Sequence, residues 1–189
     1  MNWKEEFKAA TDILIKGGVI LYPTDTIWGM GGDIFSKRAM EKIYSVKFRS
    51  KAQPLILLVS SIEMLKCFAS DIPPRVEDLL SYHQKPLTVI YRKVKDIPDY
   101  LLAADGTVAI RITKEFYSKG LIDTLGRPIT STSANISGMP FPKSFGEIQS
   151  HIIEQVDFIS TYKRDAIDNP LPSVIIKYEE SGELDFVRN

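Results

Sequence analysis

Cysteine is nearly absent from this 189-residue chain, with Cys67 alone, and there are two histidines, His83 and His151. One thiol excludes an intrachain disulfide framework and any CxxC metal site. No His/Cys nucleophile pair and no metal-ligand cluster is written into the chain. Excess charge is missing too: 24 Lys+Arg against 24 Asp+Glu leave a formal net charge of zero. That argues against a histone-like or polybasic nucleic-acid binder, although net charge averages over faces and leaves a local basic patch open. No apolar run approaches the ~20 residues of a membrane helix. The start, Met1-Asn2-Trp3-Lys4-Glu5-Glu6, lacks the basic stretch and apolar core of a signal peptide. A soluble, cytoplasmic protein is expected, with no membrane partner. The two common nucleotide motifs are missing as well. Gly29-Met30-Gly31-Gly32-Asp33-Ile34 lacks the last glycine of G-x-G-x-x-G, and G-x-x-x-x-G-K-[ST] occurs nowhere. Any nucleotide must be held differently.

What is present is an ordinary globular composition, 44% hydrophobic and 25% charged, long enough to bury a core without staples. Trp3, Phe7, Ala10 and Leu14 recur at helical spacing, with Asn2 and Glu5 placed for a capping box and Gly17-Gly18 as a stop. A buried strand follows at 19–22. Helices are then expected over 36–44, 62–68, 75–82 and 116–125, and from a Ser144 cap to about 155. Strands are expected at 55–59, 87–91, 107–112 and 129–131, with a closing hairpin of 173–178 and 184–187 around Glu180-Ser181-Gly182. Helical and tight crossovers alternate, so the fold class is α/β: one domain over 1–189, an open twisted mixed sheet with flanking helices. Cys67, following Met64 and Leu65 on an amphipathic helix, reads as a packed thiol. The histidines read as helix-end or surface residues.

Three segments carry chemistry. Pro23-Thr24-Asp25-Thr26-Ile27-Trp28-Gly29-Met30-Gly31-Gly32 leaves a buried strand with two hydroxyls, a carboxylate and three glycines. Glycines let backbone approach a ligand closely, although a turn that merely reverses the chain has the same composition. Lys47-Phe48-Arg49-Ser50-Lys51 is a compact positive cluster of the kind that surrounds polyphosphate, pairing a point charge with a planar fork, although a bare K-x-R is more often a solvated surface loop. Thr130-Ser131-Thr132-Ser133-Ala134-Asn135-Ile136-Ser137-Gly138 either saturates its own backbone or lines a polar pocket.

In order, P-T-D-T-x-x-G, K-x-R, Val108-Ala109-Ile110-Arg111 and S-x-N-x-S-G resemble the YrdC-like family of threonylcarbamoyl-adenylate synthases, from about Leu14 to Arg188. The resemblance implies a YrdC/RibB-like α/β fold with a large positive cavity. It implies that L-threonine, bicarbonate and ATP are joined to threonylcarbamoyl-AMP with release of pyrophosphate. Other threonylcarbamoyl-transferase proteins would then pass the group to tRNA, and tRNA or double-stranded RNA is a candidate partner. Residue by residue, it places Lys47, Arg49, Ser133 and Asn135 at the ATP phosphates and reaction centre. Gln53, Thr107 and Arg188 fall at further ATP contacts, and Thr26, Arg111, Ser131 and Ser173 at threonine. No resident metal is implied; Mg²⁺ would arrive on ATP.

Some residues depart from the family pattern. Trp28 replaces a tyrosine, Gln53 an asparagine, and Leu58 a histidine near threonine. Lys85 stands at the glycine of a P-G-P-L-T turn and Phe141 at an expected serine. The main alternative is a non-catalytic double-stranded RNA or tRNA-binding module of the same fold. A carbamoyl-transfer enzyme of hydrogenase maturation would add zinc-type cysteine clusters.

Overall fold

The structure, a computed structural model, describes residues 2–166, 172–178 and 183–188, the last of these without its side chain. Helix α1 (Trp3–Ile15) buries Phe7, Ala10, Thr11 and Leu14, the stripe its spacing predicts. Asn2 stands at the N-cap, but the capping box does not form, since its side chain makes no capping bond. The first-turn carboxylates Glu5 and Glu6 favour the helix end through its dipole instead. Strands β1 (Ile20–Tyr22) and β2 (Gly29–Gly31) lead to helix α2 (Lys37–Val46), capped by Ser36, whose hydroxyl accepts from the Ala39 amide. Strand β3 (Ile56–Val59), helices α3 (Ile62–Phe68) and α4 (Pro74–Tyr82), and strands β4 (Leu87–Tyr91) and β5 (Val108–Ile112) follow. Helix α5 (Phe116–Leu125), strand β6 (Ile129–Ser133), helix α6 (Ser150–Gln155) and strands β7 (Phe158–Ile159), β8 (Val174–Tyr178) and β9 (Leu184–Arg188) complete the order.

The nine strands form one mixed sheet in the order β7-β1-β2-β6-β3-β5-β4-β8-β9. Pairs β1/β7, β3/β5 and β4/β8 are parallel and the others antiparallel. Because side chains alternate across a strand, the sheet sorts its residues cleanly. Leu21, Met30, Leu57, Val59, Val89, Ile110 and Ile176 meet α2, α3 and α4 on one face. On the opposite face Ile20, Tyr22, Leu58 and Ile129 pack against Phe7, Ala10 and Leu14 of α1 and Tyr117, Leu121 and Ile122 of α5. The register carries that second face onward to Gly29, Ile56, Arg111, Ser131 and Ser133. Apart from Ile56 these are small or polar residues, and there the face is open.

Several expectations are corrected. The glycine run is a strand rather than only a turn. A Cβ on Gly31 would sit 1.9 Å from the Thr130 carbonyl oxygen, so the β2–β6 approach demands glycine there and strips the segment of any strand pattern. Strand β6 extends two residues beyond the expected end, and the two-residue β7 is too short to show periodicity. Ser144 caps nothing: a 3₁₀ turn at Phe145–Glu147 precedes α6, and Gln149 accepts the Ile136 amide. Gly146 weakens continuous helix here. Cys67 is exposed rather than packed, because the short α3 fully buries only Leu65. His83 follows α4 as its C-cap, and His151 lies in the first turn of α6. Strands β8 and β9 form the expected hairpin, whose turn, 179–182, lies outside the described residues. Among the described residues no helix is long and apolar enough to cross a membrane.

Candidate active site

The K-x-R cluster is the end of α2. Lys47 is the C-cap, the Phe48 amide donates to the Ser45 carbonyl, and the Arg49 amide donates to the Tyr44 carbonyl. That pair of bonds is a Schellman closure, which puts the intervening residue in the left-handed region. Phe48 holds it at φ 50°, a position glycine would normally take. The sharp turn sends the three side chains apart. Phe48 is 70% exposed and stacks on the His151 ring. Lys47 turns inward and is only 1% exposed.

The Lys47 ammonium donates to the carbonyl oxygens of Ser133 and Asn135, each at 2.5 Å, with Asn135 Oδ1 at 3.5 Å. Burial pushes it down to about 7, and the Arg49 charge adds to the shift. Arg49 Nε and Nη2 donate to the carbonyls of Gln53 and Pro54, both at 3.1 Å. Those bonds use two of five guanidinium donors and fix its plane.

Beyond β6 the chain folds over Lys47. Asn135 Nδ2 donates to the carbonyls of Ile136 and Met139, and the Ser137 amide donates to the Lys47 carbonyl at 2.9 Å. In the 23–28 segment the Thr24 hydroxyl donates to the Ile27 carbonyl, accepts from the Thr26 amide and meets the Thr26 hydroxyl at 2.9 Å. Arg111 is 4% exposed, with Nη2 3.1 Å from Asp25 Oδ1 in an ion pair that lacks hydrogen-bond geometry; its Nε is buried without a partner. The Ser173 hydroxyl meets Thr88 Oγ1 at 2.8 Å. The buried Tyr22 hydroxyl donates to the Thr130 carbonyl, and burial raises its pKa.

These pieces enclose a half-open cavity of about 210 Å³. Of the expected site residues, Thr26, Arg49, Arg111, Ser131, Ser133, Asn135 and Ser173 line it. Lys47 lies behind the wall. Gln53 is exposed, offering its carbonyl to Tyr44 and Arg49. Thr107 precedes β5, roughly 13 Å of strand from Arg111, and its hydroxyl is taken by Asp105. The Arg188 side chain lies outside the described residues. Asp25 was missed as a site residue, although it sits inside the motif. Nothing in the sequence pairs it with an arginine 86 positions later.

The Sua5/YciO/YrdC family model, described as "Telomere recombination", matches residues 12–189. The chain belongs to this family. A threonylcarbamoyl-AMP synthase from Pseudoalteromonas translucida is 31% identical over 90% of this chain and 89% of its own length. One from Pyrococcus abyssi is 30% identical over 84% of this chain but 46% of its own, so the chain spans about half of that relative. The structure of P. abyssi Sua5 complexed with L-threonine superposes with a TM-score of 0.84 at 26% identity, covering 97% of this chain and 54% of that one.

Three departures from the Sua5/YciO/YrdC pattern are placed by the fold. Leu58 is fully buried under α1 and α5 and does not border the cavity. Phe141 does border it. Lys85 lies at a separate recess with His83 and Lys114.

Proposed function

We propose that this chain is a threonylcarbamoyl-AMP synthase, a nucleotidyltransferase joining L-threonine, bicarbonate and ATP with release of pyrophosphate. The observation that carries the reading is the cavity lining: Arg49 and Arg111 among the hydroxyls of Thr26, Ser131, Ser133 and Ser173, with no carboxylate among the described residues that line it. Such a lining suits two anionic groups held by separate guanidinium forks. Arg111 takes the threonine carboxylate and Arg49 the phosphates. The threonine-bound P. abyssi relative supports threonine as the amino-acid substrate.

In the reaction the threonine amine forms a bond to the bicarbonate carbon, and water leaves to give a carbamate. A carbamate oxygen attacks the α-phosphorus, and the bond to the bridging oxygen breaks as pyrophosphate departs. Nothing covalent is asked of the protein. Its residues align the two substrates and offset developing charge on the phosphates through Arg49, Ser133 and Asn135. A divalent cation fits as a passenger on the triphosphate, since the described lining residues offer no carboxylate to hold one. The product serves transferase proteins that modify an adenosine beside the anticodon of tRNAs, in the cytoplasm.

The test is pyrophosphate release from ATP with each substrate omitted in turn. Release that requires both threonine and bicarbonate is expected. Salt-sensitive duplex RNA binding without ATP consumption would overturn the reading in favour of an RNA-binding module.

A further inference from the structure

We propose that Lys47 is a positioning residue, fastening the 133–139 loop to the end of α2, and is not a ligand of the triphosphate. An ammonium has three donors. Two are committed to the Ser133 and Asn135 carbonyls at 2.5 Å, and the third points toward Asn135 Oδ1 at 3.5 Å. The backbone of the same residue grips the same loop, because its carbonyl accepts the Ser137 amide. At 1% exposure the side chain lies behind the cavity wall, whereas Arg49, two residues on, forms part of it. For a phosphate to take over Nζ, it would have to displace both carbonyls; the Ser133 carbonyl would keep the Asn135 amide, but the Asn135 carbonyl would lose its donor, a costly exchange. Lys47 instead sets where the Ser133 hydroxyl and the Asn135 amide stand.

The charge state distinguishes the two roles. Arg49, from the same turn, is the cation that adds to the shift of Lys47 toward 7. Tyr44 of α2 faces Arg49, and His151 of α6 contacts the Val46 carbonyl. Ser133 and Asn135 bring no charge. A neutral amine keeps two N–H donors, enough for the two carbonyls, so fastening survives deprotonation; a phosphate clamp would not.

The test uses the full chain with K47M, which removes all donors, and K47Q, a neutral amide with two. Amide hydrogen exchange over 134–139 is read without substrates, and ATP affinity by calorimetry. In K47M, exchange in the loop should rise about tenfold or more as its anchoring bonds are lost, while α1 and α5 stay protected. ATP affinity should change less than the loop does, and K47Q should recover most of the protection. Unchanged loop exchange in K47M overturns the proposal. So does loss of ATP binding in K47Q with the loop still protected. Should K47M fail to fold, the wild-type chain between pH 6 and 8.5 decides: ATP affinity that disappears as Lys47 deprotonates refutes the positioning role. Turnover adds a kinetic signature, kcat falling more than KM for ATP rises. The kinetic arm rests on the synthase reading. The exchange arm does not, so a failure of either is seen separately.

Discussion

Replacing Arg111 by lysine keeps the charge and removes the fork, which makes it a sharp probe of the amino-acid subsite. Lysine presents a point charge and cannot reproduce bidentate contact with a carboxylate. Losing one charge-assisted hydrogen bond costs about 1.5–3 kcal/mol, or roughly 10–150-fold in affinity. KM for threonine should rise by that factor. KM for ATP should hold within about threefold, because the proposed phosphate contacts are those of Arg49, a separate residue of the lining. Arg111→Lys should be assayed by pyrophosphate release with each substrate varied at saturation of the others. A KM for threonine within threefold of wild type, or an equal rise for ATP, refutes the carboxylate assignment.

Stability supplies the second half of that experiment. Arg111 and Asp25 form an ion pair at 3.1 Å with side chains 4% and 12% exposed. Removing one partner of a buried pair costs about 3–5 kcal/mol, since the other charge is left uncompensated. Arg111→Met and Asp25→Asn should each fall near the lower end of that range, given the residual exposure of Asp25. The double variant should be much less destabilised than the sum, a coupling readable by urea denaturation. Strict additivity would mean that Asp25 does not hold Arg111.

Gly31→Ala should cost more than about 3 kcal/mol or prevent folding, because its Cβ would lie 1.9 Å from backbone rather than a movable side chain; circular dichroism melts would show it. Phe48→Gly should raise stability by up to about 1 kcal/mol, relieving the left-handed strain at φ 50°, and a lowered melting temperature would contradict this. Threonine, serine and valine should rank in that order by kcat/KM. A pocket that pairs with a substrate hydroxyl rejects its isostere by about 10⁴–10⁵, whereas a missing methyl costs only about 10–200-fold. Leu58, buried away from the cavity, gives valine no compensating contact, so a valine that outperforms serine would refute a hydroxyl-reading site.

Much of the fold was legible because the long amphipathic segments obey simple periods. Helices α1, α2 and α5 form where their apolar stripes suggest, α2 running two residues past its expected end. Two of the failures share a cause, tertiary contact overriding a local pattern. Glycines conceal β2, since the reason for Gly31 lies 99 positions away at Thr130. The Ser144 cap fails because Gln149 is drawn to the Ile136 amide. At the site, seven expected residues meet at the cavity, yet their roles were less legible than their places. A bare K-x-R reads as two equivalent phosphate ligands. Only the helix ending makes them unequal, sending Lys47 inward and Arg49 to the wall.

That inequality follows from how one sheet face serves as both core and site. Along β6, Ile129, Ser131 and Ser133 project to the same side, and the first lies under α1 and α5 while the others line the cavity. Along β3, Leu58 and Ile56 divide in the same way. The hydroxyls therefore stand on strands whose neighbouring positions are locked into dry packing, which gives them the rigidity a positioning catalyst needs. The loop after β6 has no such support from the sheet, and a buried cation on the facing helix end supplies it. On the proposed reaction, a site that makes no covalent bond to its substrates depends on holding them still. The fastening of this loop should then matter to turnover as much as the groups proposed to touch ATP.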